Sequence, residues 1–175
     1  SIPTLIVFRP HTGEIVTLTG ASMAGAVLAG ADLRGADMSY MNLAGAIFDG
    51  VDATSADFSF SDLHGASMAA AVLDEAIMEG TNLNDVIFDE GSMRGTQIGC
   101  CGKNGGSNNN CTPARALNAS FAAVDFSKKP NGSNTDLCKI GLKGNPMDGA
   151  NLSEAYTLNT DFRETSLAES TIYNT

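Results

Sequence analysis

Residues 31–50 read ADLRGADMSYMNLAGAIFDG, and the spacing inside this stretch decides the fold. Leu33, Met38, Leu43 and Phe48 stand five residues apart, and two positions before them stand Ala31, Ala36, Met41 and Ala46. Followed in both directions, the pattern runs unbroken from Leu18 to Ile98 through 17 consecutive centres, Ala53 among them. The position two before the centre is Ala in nine of the 17, and the position two after is Gly in nine. A period of five fits neither an α-helix at 3.6 nor a strand at 2. It fits a chain that turns at regular intervals. A three-residue extended segment points its first and third side chains inward and its middle one outward. The next two residues turn the corner, where Gly accepts backbone angles that other residues resist.

Composition agrees with a narrow core. The 175 residues are 43% hydrophobic, yet only 11 are aromatic, none is Trp, and 19 are Gly. One domain, 1–175, is expected at this length. No apolar run approaches the roughly 18 residues of a membrane span, so a soluble protein is expected. No signal peptide is visible, and a start at Ser1 fits removal of an initiator Met or of a longer targeting segment.

The repeated Ala, Asp or Asn, Leu and two free positions, as in Ala31-Asp32-Leu33-Arg34-Gly35, resemble the pentapeptide-repeat family. The resemblance implies an all-β fold, a right-handed quadrilateral (square) β-helix solenoid with four repeats per 20-residue coil. It implies no activity by itself, because repeat folds host many functions. After Ile98 the register breaks, resumes with Ala116, Phe121 and Phe126, breaks again, and resumes from Leu137 to Ile172. The segments 99–113 and 127–134 are read as loop insertions at corners, and 1–17 as an N-terminal strand and lead-in. The centres then make about seven coils. Counting in fours stacks Leu28, Phe48, Met68, Phe88, Phe121, Met147 and Leu167 on one inner face. It also predicts that Leu137 lies over Ile98, that Asp32 stacks with Asp52, and that Asp37 stacks with Asp57. On the outside, Val27, Ile47 and Ile87 form an apolar strip interrupted by Ser67, a candidate lateral interface.

The net charge of −10 is unevenly placed. Residues 1–98 carry 13 acidic residues against Arg9, Arg34 and Arg94, whereas residues 99–175 carry seven of each sign. That balance argues against a nucleic-acid ligand. The stacked carboxylates are expected to be solvated and screened rather than to hold a cation. His11 and His64 are isolated, the carboxylates do not converge, and no catalytic residue, metal site or cofactor is expected.

Four cysteines, Cys100, Cys101, Cys111 and Cys138, gather around the first insertion. Because Leu137 is expected over Ile98, Cys138 falls near Gly99–Cys101, and two disulfides are expected: Cys138 to Cys100 or Cys101, and the remaining one to Cys111. A zinc site lacks a two-residue-spaced Cys pair and a nearby His. Disulfides imply an extracellular, periplasmic or organelle-lumen setting, with the cytoplasm as the alternative. Sequons at Asn110, Asn118, Asn131 and Asn151 are candidate glycosylation sites.

These features point to a non-enzymatic structural or scaffold protein whose partner is itself, head-to-tail or as a dimer, or another protein. The ends carry that expectation: Ile172 is the last repeat centre with no capping helix after it, and Ile2, Leu5, Ile6 and Phe8 form an apolar strand-like start. Ile172 and Tyr173 complete the candidate interface. The alternative is a DNA mimic that binds gyrase, as some members of the family do, for which the acidic first half is suited.

Overall fold

A computed structural model describes residues 20–99, 113–127 and 134–173, which contain no helix. The chain winds as a right-handed quadrilateral β-helix. Each side is a three-residue segment whose outward residue forms a parallel bridge to the equivalent residue one coil on, as in Ser22 to Asn42, Asn42 to Asp62 and Asp62 to Asn82. The bonds run both ways across that bridge. Met23 N–H donates to the Asn42 carbonyl at 2.7 Å, and Asn42 N–H donates to the Ala21 carbonyl at 3.0 Å.

Corners are closed by four-residue turns. The Ala26 N–H reaches the Met23 carbonyl at 3.0 Å, and Gly25 has φ +68°, the pattern of a type II turn. The turn residue also bonds to the next coil, Gly25 N–H to the Ala44 carbonyl at 2.8 Å. Such coil-to-coil bonds hold the left-handed angle even where no glycine is present. Glu75, Asp85, Glu90 and Ala123 all adopt it.

Extra residues do not disturb the stacking. Bridged partners are 20 apart up to Ile77 and Gln97, 33 apart for Asn82–Arg115, Ile87–Ser120 and Ser92–Asp125, and 39 apart for Gln97–Asp136. They are 26 apart for Arg115–Gly141 and return to 20 at Asp136–Tyr156. Phe88 therefore still meets Phe121, with ring centroids 5.1 Å apart and planes 8° from parallel. The inner stack from Leu28 to Met147 is fully buried.

Where the small inner position is Thr or Ser, the hydroxyl is satisfied within the shaft. Thr81 Oγ1 donates to the Phe58 carbonyl at 2.8 Å, Thr96 to Leu73 at 2.7 Å, and Thr160 to Leu137 at 2.6 Å. Asn145 fills the same kind of position. Its Nδ2 donates to the Ala116 carbonyl at 2.7 Å, but its buried Oδ1 has no hydrogen-bond partner.

The outermost described coil departs from the expected burial. Thr157, Phe162 and Leu167 are only half-buried, and Ile172, expected inside as a repeat centre, is 55% exposed. Among the described residues no further coil lies over them.

Candidate interaction surfaces

The outward position of each side decides what the shaft shows to a partner. Val27, Ile47 and Ile87 lie in one bridged column with Ser67 and are exposed, so the column count places this apolar strip on a single face. Ile172 and Tyr173 lie together on the outermost described coil, with Tyr173 64% exposed. Ile2, Leu5, Ile6 and Phe8 lie outside the described residues, as do His11, Cys100, Cys101, Cys111, Asn110 and Asn131.

Cys138 is buried. It adjoins Gly99, where a Cβ would come within 2.3 Å of the Cys138 nitrogen, so only glycine fits there. Asn118 is exposed in a turn at φ +56° and donates to Asp85 Oδ1 at 3.2 Å. Asn151 is half-buried in a bridged column and accepts from Ser153 N–H at 3.1 Å.

The charges are more ordered than the sequence suggests. Asp32 and Asp52 do stack, but Arg34 lies across them, 2.6 Å from Asp32 Oδ2 and 3.7 Å from Asp52 Oδ2. Solvation alone is therefore the wrong account of this pair. The hydrogen bond from Arg34 holds the Asp32 carboxyl below its ordinary range, and the same bond raises the Arg34 guanidinium. Arg94 repeats the device three coils on, 2.8 Å from Asp74 and 3.9 Å from Asp125. Its own protonated form is favoured mainly by the bond to Asp74. His64 is not isolated either, because its Nδ1 lies 3.3 Å from Asp85 Oδ2. A turn side chain reaches the turn of the next coil, a contact that spacing by fives does not reveal.

Two further surfaces were missed. Tyr40 and Phe60, 20 residues apart, occupy the same corner on successive coils and stack at 5.2 Å with planes 14° apart. They are 60% and 43% exposed and adopt φ of +58° and +59°. A residue bearing a side chain is penalised by about 1–2 kcal/mol in that region. Elsewhere, Asn84, Pro113, Arg115, Leu117, Lys139, Gly141 and Lys143 line an open depression of about 610 Å³. The first was within reach of the coil count, since equivalent corners recur every 20 residues there.

None of these surfaces gathers a nucleophile, a base and a pocket.

The family model for pentapeptide repeats (8 copies) matches residues 16–50, 39–68 and 54–89. Comparison with curated proteins finds no match. Among solved structures, the chain is similar to a pentapeptide repeat protein from the thylakoid lumen of Arabidopsis thaliana. The two are 22% identical with a TM-score of 0.53, over 63% of this chain and 68% of that one. It is also similar to HetL, a pentapeptide repeat protein involved in heterocyst differentiation regulation in the cyanobacterium Nostoc sp. That likeness has 20% identity and a TM-score of 0.54, over 91% of this chain and 84% of that one. At these identities the likeness is one of fold.

Proposed function

We propose that this chain, which belongs to the pentapeptide-repeat family, is a non-enzymatic scaffold that associates through the ends of its β-helix, with a second copy of itself or with another protein. One observation carries the reading. On the coil formed by residues 161–173, the N–H groups of Phe162, Glu164, Leu167 and Glu169 find no backbone acceptor among the described residues. The equivalent groups directly beneath are bonded, Leu142 to Asp161 at 2.9 Å, Gly144 to Arg163 at 3.0 Å, Met147 to Ser166 at 3.0 Å and Gly149 to Ala168 at 2.7 Å. A row of unpaired donors beside exposed Ile172 and Tyr173 is a template for another strand or coil. A second copy stacked there in the same sense makes a head-to-tail contact that can propagate, whereas a two-fold contact stops at a dimer.

The finer architecture belongs to the same proposal: about seven coils when Leu18 is counted, with 99–113 and 127–134 leaving the shaft as loops and 1–17 as lead-in. Pairing of Cys138 with Cys100 or Cys101, and of the other with Cys111, suits an extracellular, periplasmic or organelle-lumen setting. The DNA-mimic alternative draws less support, since Arg34 and Arg94 each sit between two carboxylates and interrupt the negative surface.

Sedimentation of the 175-residue chain over a range of concentrations tests the proposal. Species larger than the 18.1 kDa monomer are expected, and Ile172→Lys with Tyr173→Lys should return them to monomer without unfolding the shaft. A wild-type chain that stays monomeric at every concentration, and captures no partner through this coil, would overturn it.

A further inference from the structure

The corner bearing Tyr40 and Phe60 invites a separate question, because two large rings stand exposed at a turn. Other positions of this turn class carry glycine, as at Gly25, Gly30, Gly35, Gly45, Gly50 and Gly65, or small or charged residues at the same positive φ, as at Ser55, Ala70, Glu75, Asp85 and Glu90. Two large aromatics have taken the strained conformation instead, and most of Tyr40 is left in solvent. A pair of large rings exposed on the outside of the shaft is a surface for contact.

The corner is also shaped for flat objects. Phe60 lies on Gly80, where a Cβ would come within 2.5 Å of the Phe60 ring, so the seat of that ring requires glycine. On the other side of Tyr40 the column continues with Gly20, where a Cβ would meet nothing within 4 Å. Tyr40 thus has a ring on one side and no side chain of its column on the other.

The neighbouring face supplies the charge. Asp37 and Asp57 are bridged in register, just as Asp32 and Asp52 are one side earlier. In the Asp32–Asp52 stack the chain's own Arg34 spans both carboxylates. The position equivalent to Arg34 beside Asp37 is Ser39, and beside Asp57 it is Ser59. Asp57 accepts one hydrogen bond, from Ser59 N–H to Oδ1 at 2.8 Å, and no ion pair among the described residues reaches it. The Asp57 carboxylate beside two flat rings matches a guanidinium, which is planar, donates in a fork to carboxylates and stacks on aromatic faces. Lysine offers a point charge without the plane. The surrounding net charge of −10 over residues 1–98 favours approach of a cation.

We propose that the Tyr40–Phe60 corner is a docking site for an arginine-bearing segment of a partner protein, the guanidinium lying on the rings with Asp57 as its counter-charge. The site is lateral and does not depend on association through the ends.

The test uses fluorescence anisotropy of a labelled Gly-Arg-Gly-Arg-Gly peptide, its lysine counterpart and its glutamate counterpart, titrated with the whole chain at physiological salt. The arginine peptide should bind several-fold more tightly than the lysine peptide, and the glutamate peptide should not bind. Tyr40→Gly with Phe60→Gly should weaken the arginine peptide about fivefold or more. Asp57→Asn, which keeps an oxygen for Ser59 N–H, should weaken it several-fold. Glu90→Gln, on a distant corner, should change nothing. Because the glycine variant relieves two strained turns, it should melt no lower than wild type, so lost binding would not reflect lost structure. Absence of arginine-peptide binding, undiminished binding by the glycine variant, equal affinity for lysine, or a glycine variant that melts clearly lower would each overturn the proposal.

Discussion

Replacing Asn145 by threonine should make this protein more stable. Asn145 is fully buried, donates through Nδ2 to the Ala116 carbonyl at 2.7 Å, and leaves its Oδ1 without a hydrogen-bond partner. A buried acceptor in that state costs roughly 1–3 kcal/mol. Threonine occupies equivalent inner positions at Thr81, Thr96, Thr160 and Thr165, each donating its hydroxyl to the carbonyl of a centre one coil below, at 2.6 to 2.8 Å. Thr at 145 would keep the bond to Ala116 and delete the orphaned oxygen. It also suits an extended segment better than Asn does. Loss of some packing volume offsets part of the gain, leaving about 1 kcal/mol, or a rise in Tm of roughly 2–4 °C for a chain of this size. Asn145→Val is the companion, because it removes the oxygen and the donor together and leaves the Ala116 carbonyl unmet. Equilibrium unfolding in urea should rank Thr above Asn above Val. A threonine variant no more stable than wild type, or one level with valine, would show that the orphaned oxygen carries no penalty.

The positive-φ corners give a second prediction. Ala70→Gly should raise stability by about 0.5–1 kcal/mol, the relief of left-handed strain less the greater flexibility of unfolded glycine, readable by calorimetry. A third concerns Asp161, whose carboxyl is held down to about 2 chiefly by the side-chain hydrogen bond from Arg163. Its folded value lies below the ordinary 3.8, so its contribution to stability is present above about pH 4 and is lost as the pH falls towards 2. A carbon-detected NMR titration should place its midpoint near 2, and Arg163→Gln should return it to the ordinary carboxylate range.

Much of the architecture can be read from sequence because a repeat of five with four sides makes residue number a coordinate. Counting alone puts Phe121 over Phe88, Leu137 over Ile98 and Ile87 in line with Val27, and the bridges agree. What counting handles poorly is the long side chain that leaves its own column. Arg34 reaches from its turn to the carboxylates of two coils, and His64 reaches Asp85 on the next one. The Tyr40–Phe60 stack was legible in principle, 20 residues apart, but attention to the extended sides passes over the turn positions. Asn145 carries no sequence signal, since its inner place is shared by residues as different as Ala150 and Thr165, and only the local geometry orphans its oxygen.

The bridges also show that bonded neighbours can be 20, 26, 33 or 39 residues apart while the rungs stay level. A shaft built this way measures itself in turns and is indifferent to how much chain is spent between one side and the next. Added sequence at a corner has little tension to transmit, because the next segment needs only to find the rung below it. Corners are therefore natural grafting points, where a peptide could be carried at a chosen height and on a chosen side without resetting the alignment of the rest.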